Sequence, residues 1–183
     1  MRWVIGVPAR VPDQLRQSRS KRSISTRIGR SISARRTLSE MVDLERNKSV
    51  VRRFLGEVSD GGDIELLDQL CTADVVNHAA RPGLQSGIEA FKTLMRGIHG
   101  SQTGRRWTEQ RYVADGDFVV VYGVREGFWR SPHFRGVPTP NPGIISTELA
   151  HMFRLQDGLI AEHWAVRDDL GMMQQLGVLP SPD

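Results

Sequence analysis

One cysteine, and no apolar run approaching the ~20 residues that cross a bilayer, set the first limits on this 183-residue chain. With Cys71 alone there is no internal disulfide, which fits a reducing compartment and a cytoplasmic location. Cys71 has no local support as a nucleophile and reads as a small buried residue. The opening RWVIGVP is too short and too interrupted for a secretory apolar region. There is no Gly-rich phosphate loop, no GxSxG elbow and no CxxC pair, so nucleotide, serine-hydrolase and zinc-ribbon readings lack support. His78, His133, His151 and His163 show no HxH or HExxH spacing, so no metal site is expected.

Acidic residues are scarce at one end. The chain has 25 Lys/Arg and 21 Asp/Glu, but ten of the basic residues fall in 1–40 against only Asp13 and Glu40. Residues 41–183 keep 15 basic and 19 acidic residues, a net of −4, which argues against nucleic-acid binding by the body. From Gln14 to Arg36 the chain is rich in Arg and Ser with no acidic residue. Such a segment buries too little apolar area to offset its ordering entropy, so 1–40 is expected as a disordered basic extension before a domain at 41–183. Three origins are open: an organellar transit peptide, a basic arm for nucleic acid or anionic lipid, or an upstream artefact of a true start at Met41. The last is favoured, because Met41 stands directly before a helical pattern.

From there the pattern is regular. Leu44, Val51, Phe54, Leu55 and Val58 share one face, which predicts an amphipathic helix over 42–58. Asp60-Gly61-Gly62 ends it, and Asp63 is placed to cap a short helix burying Ile64, Leu67 and Leu70. Residues 74–78, DVVNH, read as a short extended segment. Ser86 with Glu89 reads as a capping box for a third helix. Strand patterns over 107–114 and 118–129 flank Asp115-Gly116, and those over 144–155 and 159–166 flank Asp157-Gly158, giving two hairpins. The Pro-rich 131–143 is expected as a loop that cannot continue a ladder, and a final helix follows over 170–176. Helices first and a strand meander after them predict an α+β fold, three to four helices packed on one face of a curved antiparallel sheet.

Five segments, in order, resemble the SnoaL-like polyketide cyclases, also called ester cyclases, of the nuclear transport factor 2-like superfamily. They are NKSVVRRFLGEV (47–58), GGDIELLDQL (61–70), DVVNH (74–78), SPHFRGVPTP (131–140) and RLQDGLIAEHWAVRDDLGMMQQLG (154–177). The resemblance covers residues 41–179 and implies a cone-shaped sheet whose helices enclose a deep pocket, with homodimers formed through the sheet. It also implies cofactor-free chemistry on a small, apolar, carbonyl-bearing ligand. In aldol-cyclising relatives a base removes an acidified carbon-bound proton while donors hold the enolate oxygen. Asn77 and His151 match site positions of those relatives. Their aldol base, an Asp, falls on Ala165, and a site Gln falls on Leu149.

Strand alternation puts Leu149, His151 and Phe153 on one face, and Ala161, His163 and Ala165 on one face of the next strand. With His151 placed in the pocket by the resemblance, His163 faces it, and such a pair is expected to titrate near neutrality as acid–base machinery. Asp168 is the third catalytic candidate, with helix capping as its alternative. Asn77 is the candidate for orienting a substrate oxygen. His78 and His133 are candidate ligand contacts at the pocket mouth; Trp107, Trp129 and Phe153 are candidate lining, with plain core the alternative. Glu162 and Trp164 fall on the opposite strand face and read as structural. The expected function is a cyclase- or isomerase-type enzyme. The competing reading, favoured by Ala165, is a non-catalytic binding or dimerising module; hydrolysis or hydroxylation of a related substrate is a third.

Overall fold

The computed structural model describes residues 37–181; residues 1–36, and with them most of the basic extension, lie outside the described residues. Helix α1 (Leu38–Arg53) begins ahead of its apolar pattern because Thr37 and Glu40 cap it reciprocally. Thr37 Oγ1 accepts the Glu40 N–H at 3.2 Å, and Glu40 Oε2 accepts the Thr37 N–H at 2.6 Å. The helix runs on into a π-helical stretch, Phe54–Asp60. Its wider turn, marked by the Gly61 N–H bonding the Gly56 carbonyl at 2.9 Å, puts the neighbours Val58 and Ser59 both inside.

A 3₁₀ turn (Ile64–Leu66) leads into α2 (Leu67–Leu70), with Asp63 ahead of it making no side-chain cap. Helix α3 (Ile88–Ser101) buries Phe91 and Met95. Its N-cap is Gly87 at φ 89° without a side-chain cap, so the expected Ser86/Glu89 box is not what starts it. Helix α4 (Asp169–Gln175) closes the described fold.

The main sheet has the order β1-β7-β6-β3-β2, built from β1 (Cys71–Asn77), β2 (Gln102–Asp115), β3 (Phe118–Trp129), β6 (Gly143–Gln156) and β7 (Leu159–Arg167). The β2-β3-β6-β7 pairings are antiparallel, and β1 adds a parallel edge against β7. At the β6–β7 turn Asp157 (φ 53°) and Gly158 (φ 80°) are both left-handed, as a type I′ turn requires. The Pro-rich segment departs from expectation: it holds a small hairpin of β4 (His133–Phe134) and β5 (Val137–Pro138). Pro138 ends its strand, where a missing N–H costs no ladder bond.

Alternation along β3 and β6 divides the inner sheet face into three zones. At one end Val119, Val121, Phe153 and Leu155 join the main core with Leu55, Leu67 and Phe91. At the other, Trp129 and Ile145 pack with Phe134, Met172 and Leu176 into a second apolar cluster. Between them lie the buried polar side chains of Arg125, Thr147 and His151, with Leu149 and Gly123 at the inward positions between.

Candidate functional site

The middle zone begins where β6 and β7 place imidazoles at inward positions. His151 and His163 are 8% and 6% exposed. Phe153 holds both: its ring stacks at 4.9 Å from His163 and 5.9 Å from His151. Asn77, at the end of β1, is delivered to His163 by the parallel register that pairs the two residues.

The three side chains form a hydrogen-bonded column whose proton positions follow from one fixed amide. Asn77 Oδ1 accepts the Ala79 backbone N–H at 3.1 Å, which sets the amide's orientation, and lies 3.0 Å from His163 Nδ1. An amide oxygen only accepts, so His163 donates from Nδ1 and its neutral ring has a bare Nε2. His151 Nδ1 lies 2.8 Å from that Nε2 and must donate to it. His151 Nε2 is therefore the unprotonated end of the column, and it is buried with no hydrogen-bond partner.

The expectation of titration near neutrality is overturned. Burial pushes His163 down to about 3, with His78 and Arg125 adding to the effect. Burial likewise holds His151 well below 6.5, reinforced by His163 and then by Arg125, Arg105 and Arg167. Both rings are neutral at pH 7, and the donor–acceptor order above is that of two neutral imidazoles.

A second buried polar group shares the zone. Trp107 on β2 meets His151 edge-on at 5.9 Å and carries the Arg125 guanidinium over its ring at 5.3 Å. Arg105 Nη1 donates to the Ser59 carbonyl at 2.6 Å, and Arg125 Nη1 donates to Ser59 Oγ at 3.1 Å. The π-helical stretch supplies Ser59 and Asp60 to this cluster. Burial is the leading cause that lowers Arg125 to about 9 and Arg105 to about 10, and that raises the Asp60 carboxyl.

Sequence reasoning missed this group. Arg125 was readable as an inward position in Val119-Val121-Gly123-Arg125. Arg105 was not, because register shifts between Thr103 and Arg106 and between Trp107 and Glu109 change the facing parity of β2. Gly123 permits the second shift, since a Cβ there would run into the Glu109 carbonyl.

The remaining candidates are dispersed. Asp168 is exposed at the N-cap of α4, where its Oδ1 accepts the Gly171 N–H at 2.8 Å. His78 is on the other face, stacked on Trp164 at 4.4 Å and 2.8 Å from Glu162 Oε2. His133 is exposed on the small hairpin. Trp129 belongs to the second apolar cluster, its Nε1 donating to the Ser131 carbonyl at 2.8 Å. Cys71 is buried, its thiol pushed up to about 12 chiefly by burial.

A cavity of about 480 Å³ is lined by Arg52, Asp60, Trp107, Glu109 and Tyr112 among others; Asp60 and Trp107 are neighbours of Arg125, while Arg105, Arg125, His151 and His163 are not in its wall. A larger one, about 600 Å³, lies by the hairpin turns with Asp43, Arg46 and Asp157 in its wall and neither His151 nor His163. Among the described residues, no three His, Cys, Asp or Glu side chains converge as metal ligands, and no helix is long and apolar enough to cross a membrane.

Comparison with known proteins matches the sequence profile of the SnoaL-like polyketide cyclases to residues 49–176. The chain is similar to the structure of TsrD from Streptomyces laurentii, at 26% identity and a TM-score of 0.64 over 74% of this chain and 97% of that one. It is similar to IdmH, a proposed polyketide cyclase from Streptomyces antibioticus, at 29% identity and a TM-score of 0.60 over 72% and 98%. A proposed SnoaL-like polyketide cyclase from Jannaschia, 22% identical with a TM-score of 0.65 over 79% and 98%, shares the fold. No curated protein matches the chain.

Proposed function

The chain belongs to the SnoaL-like polyketide cyclase family, and from that premise we propose that it is a cofactor-independent enzyme using His151 as a base on a small, apolar carbonyl compound. The observation that carries this reading is the bare, buried Nε2 at the end of the Asn77–His163–His151 column. Its neutral ring is a weak base, so the substrate must supply an acidified C–H, such as one between two carbonyls. Nε2 takes that proton, and the C–H electron pair passes to the carbonyl oxygen as an enolate. The imidazolium keeps its Nδ1–H on His163, while Asn77 holds His163 in the accepting tautomer. In a cyclisation the enolate carbon attacks a second carbonyl, and Nε2 returns the proton to the alkoxide formed; in an isomerisation it returns the proton to another carbon.

The test is proton exchange at the acidified carbon of an aryl β-keto ester in D2O, followed by NMR. Wild type is expected to accelerate exchange, and His151→Asn to lower the enzymatic rate by about 10²–10⁴-fold. Equal rates for both proteins would remove His151 from the chemistry.

A non-catalytic binding module of the same fold is the second reading. Ala165 favours it: this residue pairs directly with His151, and the resemblance puts it at the position of the aldol cyclases' base. Under that reading a ligand binds and no exchange is accelerated. Homodimerisation through the sheet also belongs to the proposal. Its support is the row Tyr122, Phe128, Ile144 and Val166, exposed on the outer sheet face. Sedimentation of wild type against Ile144→Lys checks it, a shift to monomer being expected.

A further inference from the structure

Arg105 and Arg125 are 7% and 9% exposed, two guanidinium groups buried in the middle zone. The partner they share, Ser59, is neutral: its Oγ lies 3.3 Å from Arg105 Nη2 and 3.1 Å from Arg125 Nη1. The carboxylate beside them is Asp60, whose Oδ1 stands 3.8 Å from Arg125 Nη1 and has no hydrogen-bond partner. Arg105 Nε has none either. Two cations against one loosely engaged carboxylate leave an excess of buried positive charge, which folding energetics alone disfavours. Asp60 and Trp107, both beside Arg125, line the cavity of about 480 Å³, a volume that suits a small ligand, and they stand between it and the two guanidinium groups, which are not in its wall.

We propose that Arg105 and Arg125 form a binding site for a carboxylate of the ligand, so that the compound taken by this protein is a carboxylate-bearing carbonyl compound. The inference rests on reading the His151 zone as the reaction site and amends the substrate's class, from a wholly apolar carbonyl compound to one with a carboxylate on an apolar frame. Guanidinium forks match a planar two-oxygen anion, and arginine is the residue suited to pairing with one away from water. The charge excess exists before any reaction begins, so it calls for a resting anion rather than a transient enolate. Arg125 pairs with Thr147 on β6, four residues from His151, with Leu149 between them. That is a backbone spacing of about 13 Å. The carboxylate is thus a remote handle that sets orientation, and the reacting carbon lies elsewhere on the ligand.

The experiment titrates the protein with benzoate and with benzamide, a near-isosteric neutral probe, by ligand-observed NMR. Benzoate is expected to bind wild type about tenfold or more tightly than benzamide, and Arg125→Met to erase that preference. Unliganded Arg125→Met is expected to melt at or above wild type, because a buried charge without a full partner has been removed; a purely structural arginine would melt lower on loss. Equal affinities for the two probes in wild type, or an undiminished benzoate preference in Arg125→Met, overturn the proposal. If Arg125→Met does not fold, the wild-type preference and its reduction in Arg105→Lys decide. Proton exchange in wild type and in His151→Asn separates the two readings: benzoate preference with no exchange in wild type, or with equal exchange in both proteins, sinks the base and leaves the anion site standing. Exchange without benzoate preference does the reverse.

Discussion

The histidine column and the arginine pair occupy the same zone of one sheet face and meet the cost of burial in opposite ways. The column is neutral, and its hydrogen bonds run in sequence from the Ala79 N–H to the His151 Nδ1–H, leaving the unprotonated His151 Nε2 and the Asn77 amide Nδ2 without partners. The arginines are charged, share a neutral serine, and leave both Arg105 Nε and Asp60 Oδ1 without hydrogen bonds. A neutral chain can leave two polar atoms over without leaving a net charge. A buried charge of one sign is closed only by something that brings the other sign.

Four measurements sharpen or break that contrast. Phe153 is fully buried and stacks on both imidazoles, so Phe153→Ala is expected to cost about 3–5 kcal/mol in urea unfolding. A cost under about 1 kcal/mol would show that packing does not hold the column in place. Asn77→Ala strands the buried His163 N–H and is expected to cost about 1–3 kcal/mol. Its sharper readout is the imidazole ¹⁵N spectrum, in which the single His163 tautomer of wild type becomes a mixture.

Acid titration of stability comes next. Both histidines have folded values depressed below 6.5, so the unfolded chain binds more protons as pH falls and the folded state loses stability. The expected loss is about 1.4 kcal/mol per pH unit for each histidine between about pH 6 and 4, with no contribution from the arginines in that window. A flat profile there would mean that the rings are not buried neutral. Smallest is Asp168→Ala, which removes a helix cap worth about 1 kcal/mol and is expected to leave proton exchange untouched. A large drop in exchange with intact stability would instead return Asp168 to the site.

Much of this arrangement was legible in the sequence wherever alternation runs unbroken. On β6 and β7 it put His151 with Leu149 and Phe153, and His163 with Ala161 and Ala165, although a register shift between Arg154 and Leu155 separates both histidines from the Asp157-Gly158 turn. On β2 the two shifts change the parity, and the arginine that alternation would send outward is buried. The starts of α1 and α3 show the same lesson on a smaller scale. Thr37 and Glu40 form a capping box that starts α1 ahead of its apolar stripe, while Gly87 takes the N-cap that Ser86 was expected to fill. The protonation state of the histidines was beyond pattern reading, because it depends on how completely Phe153, Phe54 and Phe91 surround the rings.

The parallel pairing of β1 with β7 also sets an order of assembly. Asn77 and His163 lie 86 positions apart in the chain, and the bond between them waits on a strand near its C-terminal end. The β3–β6 and β6–β7 ladders join strands far closer in the chain, so theirs are the more local contacts. During synthesis the first helices and β1 emerge long before their partner, and His163 has no acceptor to choose its tautomer until β1 docks. The complete column therefore forms only once β7 has paired, and a chain cut short before β7 keeps His151 on β6 without the His163 that accepts its Nδ1–H.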